Sequence, residues 1–162
     1  SVGDAATFPV GQRYFALYTA EVAEQPAAEL PETLFPSLVQ ALVEKAFEVR
    51  AFYLDGRVYA MAIFSQGDAQ TAVDHRRHGD QRPNRMVPYR LPRAVEEAVA
   101  RMMAALSLSS GSMDLIRTPD GRHVFLEVNP AGQIGMVSGP CNYYLARRVA
   151  EHLMAEDADV DA

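Results

Sequence analysis

The sequence predicts an α/β fold of the α+β kind: an antiparallel sheet of hairpins with helices packed against it. Asp55-Gly56 and Asp120-Gly121 each sit between runs rich in β-branched and aromatic residues, the strongest short-range hairpin signal. In 93-RAVEEAVARMMAALSL-108, Val95, Val99, Met102 and Leu106 recur at helical spacing and make an apolar stripe. With 162 residues and 49% hydrophobic content, the chain suits one compact domain with a real core.

Taken in order, residues 1–13 show no periodicity and read as irregular. YFALYTAEV (14–22) reads as a short strand, and the proline-punctuated EQPAAELPETLFPS connects it onward. The segment 37-SLVQALVEKAF-47 supports two readings: Leu38, Leu42 and Val43 have helical spacing, yet a buried strand fits as well. In the first hairpin (48–66), Glu48 and Arg50 share a face because strand side chains alternate. Residues 67–92 form a loop, long for a compact domain and therefore suspected of function. Pro92 suits the first turn of the helix over 93–108.

The second hairpin spans 112–129. With Asp120-Gly121 as a two-residue loop, Pro119 faces Arg122, and counting outward brings Asp114 opposite Glu127. Asn129 lies two residues beyond Glu127, on the same face, and Pro130 ends the ladder. A last helix over 140–156 places Leu145, Val149 and Leu153 on a core stripe, and EDADVDA reads as a frayed acidic tail.

Composition excludes several functions. A net charge of −6 argues against general binding to nucleic acid or an anionic membrane. No apolar run has the length of a membrane span. A single cysteine, Cys141, excludes an internal disulfide and fits a reducing, cytoplasmic compartment. Lys45 is the sole lysine, whereas the other fourteen basic residues are arginines.

Three groups of residues carry the chemistry. Asp114, Glu127 and Asn129 form an all-oxygen set, which suits Mg²⁺ better than zinc; a hydrated hairpin face explains the spacing equally well. Arg76, Arg77, Arg82, Arg85 and Arg90 crowd one loop beside His75 and His78. Arginine forks bind phosphate or carboxylate, while a solvated basic loop remains the alternative and RNA the weakest option. Glu48 and Arg50 are either a structural pair or contacts to ribose and an anion. His123, His152 and Cys141 take plain readings at turn, surface and helix-core positions.

Placed in order, FPSLVQALVEKAFEVR, YAMAIFSQ, QTAVDHR, PNRMVPYRLP, GSMDLI, FLEVNPAGQ and MVSGPCNYYL resemble the carboxyl-terminal part of an ATP-grasp ligase. The resemblance runs from about Phe35 to Leu153 and points to the graspetide maturases, most of all the grasp-with-spasm group. It implies a lead-in over 1–34 with a short strand, left from the central subdomain. A carboxyl-terminal ATP-grasp subdomain would follow over 35–155, with the acidic tail at 156–162. Mg²⁺ ligands would be Asp114, Glu127 and Asn129. The adenine-contacting hinge would be Gln40, Ala41, Leu42 and Val43, favouring strand there, and Glu48 would contact ribose. Arg50 is the adjoining family arginine, and Asp74 and Arg76 match an Asp-x-Arg pair that binds phosphate and the acidic substrate.

The implied activity uses ATP and Mg²⁺ to turn peptide side-chain carboxylates into acyl phosphates. A hydroxyl or amine of the same ribosomal precursor peptide then closes an ester or amide. An amino-acid ligase acting on a protein or small acid is the alternative within enzymes, and a non-catalytic nucleotide- or peptide-binding module the alternative outside them. The family's phosphate-holding lysines come from an earlier subdomain, so the chain is expected to be either an excised portion of a longer ligase or a truncated homologue that keeps the metal half without the phosphate clamp, and inactive alone. Whether it forms a homo-oligomer stays open.

Overall fold

The computed structural model describes residues 7–10, 13–16, 21, 40–67 and 84–160. Its main body is one five-stranded antiparallel sheet. In chain order β3 is Phe47–Leu54, β4 Arg57–Phe64, β5 Arg85–Tyr89, β6 Ser110–Arg117 and β7 His123–Asn129, and they lie side by side as β5-β4-β3-β6-β7. A separate hairpin pairs β1 (Thr7–Val10) with β2 (Arg13–Ala16). The irregular reading of 1–13 therefore gives way to a strand. Val10 pairs with Arg13 across two intervening residues, one of them glycine, which is hairpin spacing.

The first Asp-Gly turn forms as expected. Asp55 and Gly56 both take positive φ, 38° and 80°, so the turn follows the right-handed twist of its strands and pairs Leu54 with Arg57. Part of the expected loop over 67–92 is instead strand β5, which lies on the open side of β4. Pro88 sits within it, and an edge strand is where a residue without an N–H is tolerated.

Helix α1 (Arg93–Ala105) starts just after Pro92 and covers one face of the sheet. Its buried residues are Val99 and Met103, whereas Leu106 is 51% exposed. The expected stripe ran one turn too far, since the helix ends at Ala105 and Ser107 turns left-handed at φ 56°. Under α1 lie Val49, Ala51, Met113 and Leu115, which alternate along β3 and β6. Full burial of a side chain such as Met103 is worth about 1.5–3 kcal/mol.

The single carboxyl-terminal helix expected over 140–156 is two helices, α2 (Ile134–Cys141) and α3 (Leu145–Val160). Asn142 and Tyr144 at φ 53° break the chain between them. Val137, Cys141 and Leu145 pack on Phe52, Leu54, Met61 and Ile63 of the opposite face. Leu145 is fully buried and Val149 half-buried as expected, but Leu153 is 54% exposed. Most of the acidic stretch read as a frayed tail continues α3 to Val160. No helix among the described residues is long and apolar enough to cross a membrane.

Candidate functional site

The face under α2 and α3 is only partly apolar. Strand pairing sets Arg50 beside Asp114, and Asp114 beside Glu127, in one row across β3, β6 and β7. Ser112 and Asn129 make the next row. Alternation on β3 puts Glu48 on this same face. Arg50, 5% exposed, donates from Nη1 to Asp114 Oδ2 at 3.5 Å, a distance at the limit of a hydrogen bond. Glu127 and Asn129 are exposed and Asp114 is half-buried, so the oxygen set opens toward solvent.

Asp114 faces Glu127 as expected, but for a reason the turn does not supply. At the tip of the hairpin Arg117 pairs with His123, Ile116 with Val124 and Leu115 with Phe125. That register belongs to a loop of residues 118–122, and carried inward it would set Asp114 against Leu126. A bulge between Asp114 and Leu115 leaves Leu126 over and restores the partnership of Asp114 with Glu127. The two-residue turn of the sequence reading is therefore corrected. Thr118 closes the loop: its hydroxyl donates to Asp120 and accepts from the Arg122 N–H at 2.9 Å. Those bonds to Thr118 and Arg122 lower the Asp120 carboxyl to about 2.

Asn129 Oδ1 accepts from the Ala131 N–H at 3.1 Å, which turns the chain at Pro130. The loop then doubles back over β6. A Cβ on Gly132 would stand 2.1 Å from Ser112 Oγ and 2.4 Å from its backbone nitrogen, so only glycine fits.

Glu48 is 9% exposed and its carboxylate is already engaged. Lys45 donates to Oε1, and the Ser65 hydroxyl donates to the same oxygen at 3.2 Å. The Gln66 amide in turn donates to Ser65 Oγ at 3.3 Å. Sequence reasoning assigned no role to Ser65, Gln66 and Ser112, although they lie in the quoted YAMAIFSQ and GSMDLI segments; only the three-residue spacing of Lys45 and Glu48 hinted at their pairing.

Gln40, Ala41, Leu42 and Val43 form neither of the two structures weighed for them. Residues 40–45 are irregular, and Leu42 is 62% exposed. The expectation of a strand fails: among the described residues, the pairing of β3 with its neighbours begins at Phe47. Before it, the Ala46 N–H to the Arg117 carbonyl, 2.8 Å, is the backbone bond to the sheet. Asp74, Arg76, Arg77 and Arg82, with His75 and His78, lie outside the described residues. His123 begins β7 rather than sitting in the turn, and its Nε2 meets the Tyr89 hydroxyl at 3.1 Å. Cys141 is buried at the end of α2, as expected.

Among the described residues no three His, Cys, Asp or Glu side chains converge as metal ligands. The site offers two carboxylates and an amide instead. Such a set leaves positions for water and phosphate oxygens and fits Mg²⁺ rather than a nitrogen- or sulfur-seeking metal.

No protein-family model and no curated protein matches the chain. Solved structures do. A RiPP-associated ATP-grasp ligase of Chryseobacterium gregarium, solved with ADP and a leader and core peptide, is 28% identical; the match covers 56% of this chain and 27% of that one, with a TM-score of 0.51. The ATP-grasp ligase PsnB, solved with a minimal precursor, is 19% identical over 73% of this chain and 37% of that one, at a TM-score of 0.59. PsnB with a phosphomimetic precursor variant, Mg and ADP is 22% identical over 72% and 34% of the two chains, at 0.57. The chain spans only about a third of the length of these ligases. Its sheet and helices are a portion of the ATP-grasp fold, similar to that of RiPP-associated ATP-grasp ligases.

Proposed function

We propose that the chain is the cation-handling portion of an ATP-dependent ligase that cross-links side chains of a ribosomal precursor peptide. The observation that carries this reading is the row Arg50, Asp114, Glu127, continued by Asn129, on the open part of one sheet face. Asp114, Glu127 and Asn129 would hold Mg²⁺, which when bound offsets the charge of the β- and γ-phosphates of ATP. Arg50 holds Asp114 in place from below and brings a guanidinium to the edge of the anion site. Glu48, fixed by Lys45 and Ser65, presents a carboxylate oxygen for ribose. Gln40 to Val43 would line adenine, and Asp74 with Arg76 would bind the phosphate and the acidic side chain.

In the reaction so assigned, a peptide carboxylate oxygen attacks the γ-phosphorus, and the bond to the β-phosphate oxygen breaks to release ADP. A hydroxyl or amine of the same peptide then attacks the acyl carbon and gives up its proton as phosphate leaves. Each cross-link removes one water from the peptide. The cytoplasm, where ATP and thiols are kept, is the matching compartment.

The test is Mg²⁺-dependent ADP binding by calorimetry, on the chain and on Glu127→Gln. The substitution removes charge rather than volume, so binding should be lost with the circular dichroism spectrum unchanged. Binding of Mg²⁺ and ADP by Glu127→Gln as tightly as by the parent would remove the cation role. In the longer ligase, mass spectrometry of the peptide decides the reaction: loss of water marks a cross-link, and a mass gain marks addition of an amino acid.

A further inference from the structure

We infer that the Ser112 hydroxyl is an outer-sphere partner of the hydrated cation, accepting a hydrogen bond from a water on the ion; this rests on the cation reading above. Ser112 is 2% exposed, and its Oγ has no hydrogen-bond partner among the described residues. A buried hydroxyl left unsatisfied is destabilising. Its surroundings give the cost a purpose. Ser112 stands two residues before Asp114 on β6 and directly opposite Asn129, so it shares the face of the oxygen set.

Gly132 closes over it. The hypothetical Cβ contact of 2.1 Å at Ser112 Oγ measures how tightly that backbone covers the hydroxyl and keeps bulk water away. Asn129 spends one lone pair of Oδ1 on the Ala131 N–H and keeps the other for the ion. Mg²⁺ retains several waters when bound by one or two carboxylates. A water on a divalent cation is a strong donor and needs an acceptor. With Asp114 and Glu127 as direct ligands, the Ser112 oxygen would offer a neutral acceptor on the same face. Its role is to position the water and raise affinity for the ion; it is not a ligand itself.

The experiment is a Mn²⁺ titration of the full chain in the presence of ADP, read by electron paramagnetic resonance, alongside thermal unfolding without metal. Ser112→Ala should weaken Mn²⁺ binding about tenfold, in the range typical of outer-sphere substitutions. The metal-free unfolding midpoint should stay or rise, because an unsatisfied hydroxyl is removed. If Ser112→Ala binds Mn²⁺ like the parent while Glu127→Gln does not, Ser112 has no part and the cation site stands. If both bind like the parent, the cation site falls and takes this inference with it. A lower metal-free midpoint with unchanged Mn²⁺ affinity would assign Ser112 a packing role and overturn the inference.

Discussion

Strand β3 shows two different surfaces to its surroundings. Toward α1 it presents Phe47, Val49, Ala51 and Tyr53; toward α2 and α3 it presents Glu48, Arg50, Phe52 and Leu54. The first row is apolar throughout, and so are its neighbours Met113 and Leu115 on β6. The second changes character halfway along, apolar under the helices and charged beyond them. The charged half stays in place because the apolar face and the helix-covered half hold the sheet, so Arg50 and Glu48 can be buried without being the source of stability. A buried ion pair is weak evidence for stability in any case.

That division predicts which substitutions unfold the protein and which only disarm it. Met103→Ala, on the α1 side, should cost about 2–5 kcal/mol in urea unfolding, through lost burial and the cavity left behind. Glu127→Gln, on an exposed stretch of the other face, should stay within about 0.5 kcal/mol while losing the cation. Comparable destabilisation by the two would erase the distinction between the faces.

Gly132→Ala should fall between them. Its Cβ would meet the Ser112 backbone nitrogen at 2.4 Å, which no rotamer change relieves, so the loop must lift. A cost of about 1–3 kcal/mol is expected from such overpacking, together with weaker Mn²⁺ binding. Unchanged Mn²⁺ affinity in a destabilised Gly132→Ala protein would separate the loop from the site.

Smaller effects come from pH. Burial, then the Arg117 charge, holds His123 below its ordinary 6.5, so the unfolded chain takes up a proton that the folded one refuses. Stability should therefore fall as pH drops below 6.5, and His123→Gln should flatten that part of the profile. Asp120 is shifted in the same direction and with the same sign: its contribution is complete above 3.8 and disappears as pH falls through about 2. Asp120→Asn should lower the melting temperature slightly at neutral pH, with the effect fading as pH falls from 3.8 toward and through about 2. An equal effect at both ends of that range would mean that the carboxylate charge is not what Thr118 and Arg122 recognise.

Much of this was legible in the chain. The Asp55-Gly56 turn and the α1 face follow from period and turn chemistry. Other parts depend on tertiary neighbours. Arg85–Tyr89 becomes a strand because β4 has an open edge beside it, and a proline inside a short arginine-rich run gives no local sign of that. Gln40 to Val43 has a strand's composition but reaches past the strands that flank Phe47. The break at Asn142 and Tyr144 rests on two non-glycine residues with positive φ, which propensity disfavours and therefore hides. Asp114 met Glu127 in the sequence count only because a turn drawn too short and a bulge left out offset each other.

That bulge separates two lengths that a plain hairpin ties together. In an uninterrupted ladder, adding or removing a residue at the tip slides every pair behind it and turns each side chain to the opposite face. Here the surplus residue at Leu126 takes up the slip before it reaches Asp114 and Glu127. A tip spanning 118–122 is thus compatible with Asp114 facing Glu127, a pairing that a ladder without the bulge would give only to a loop of different length.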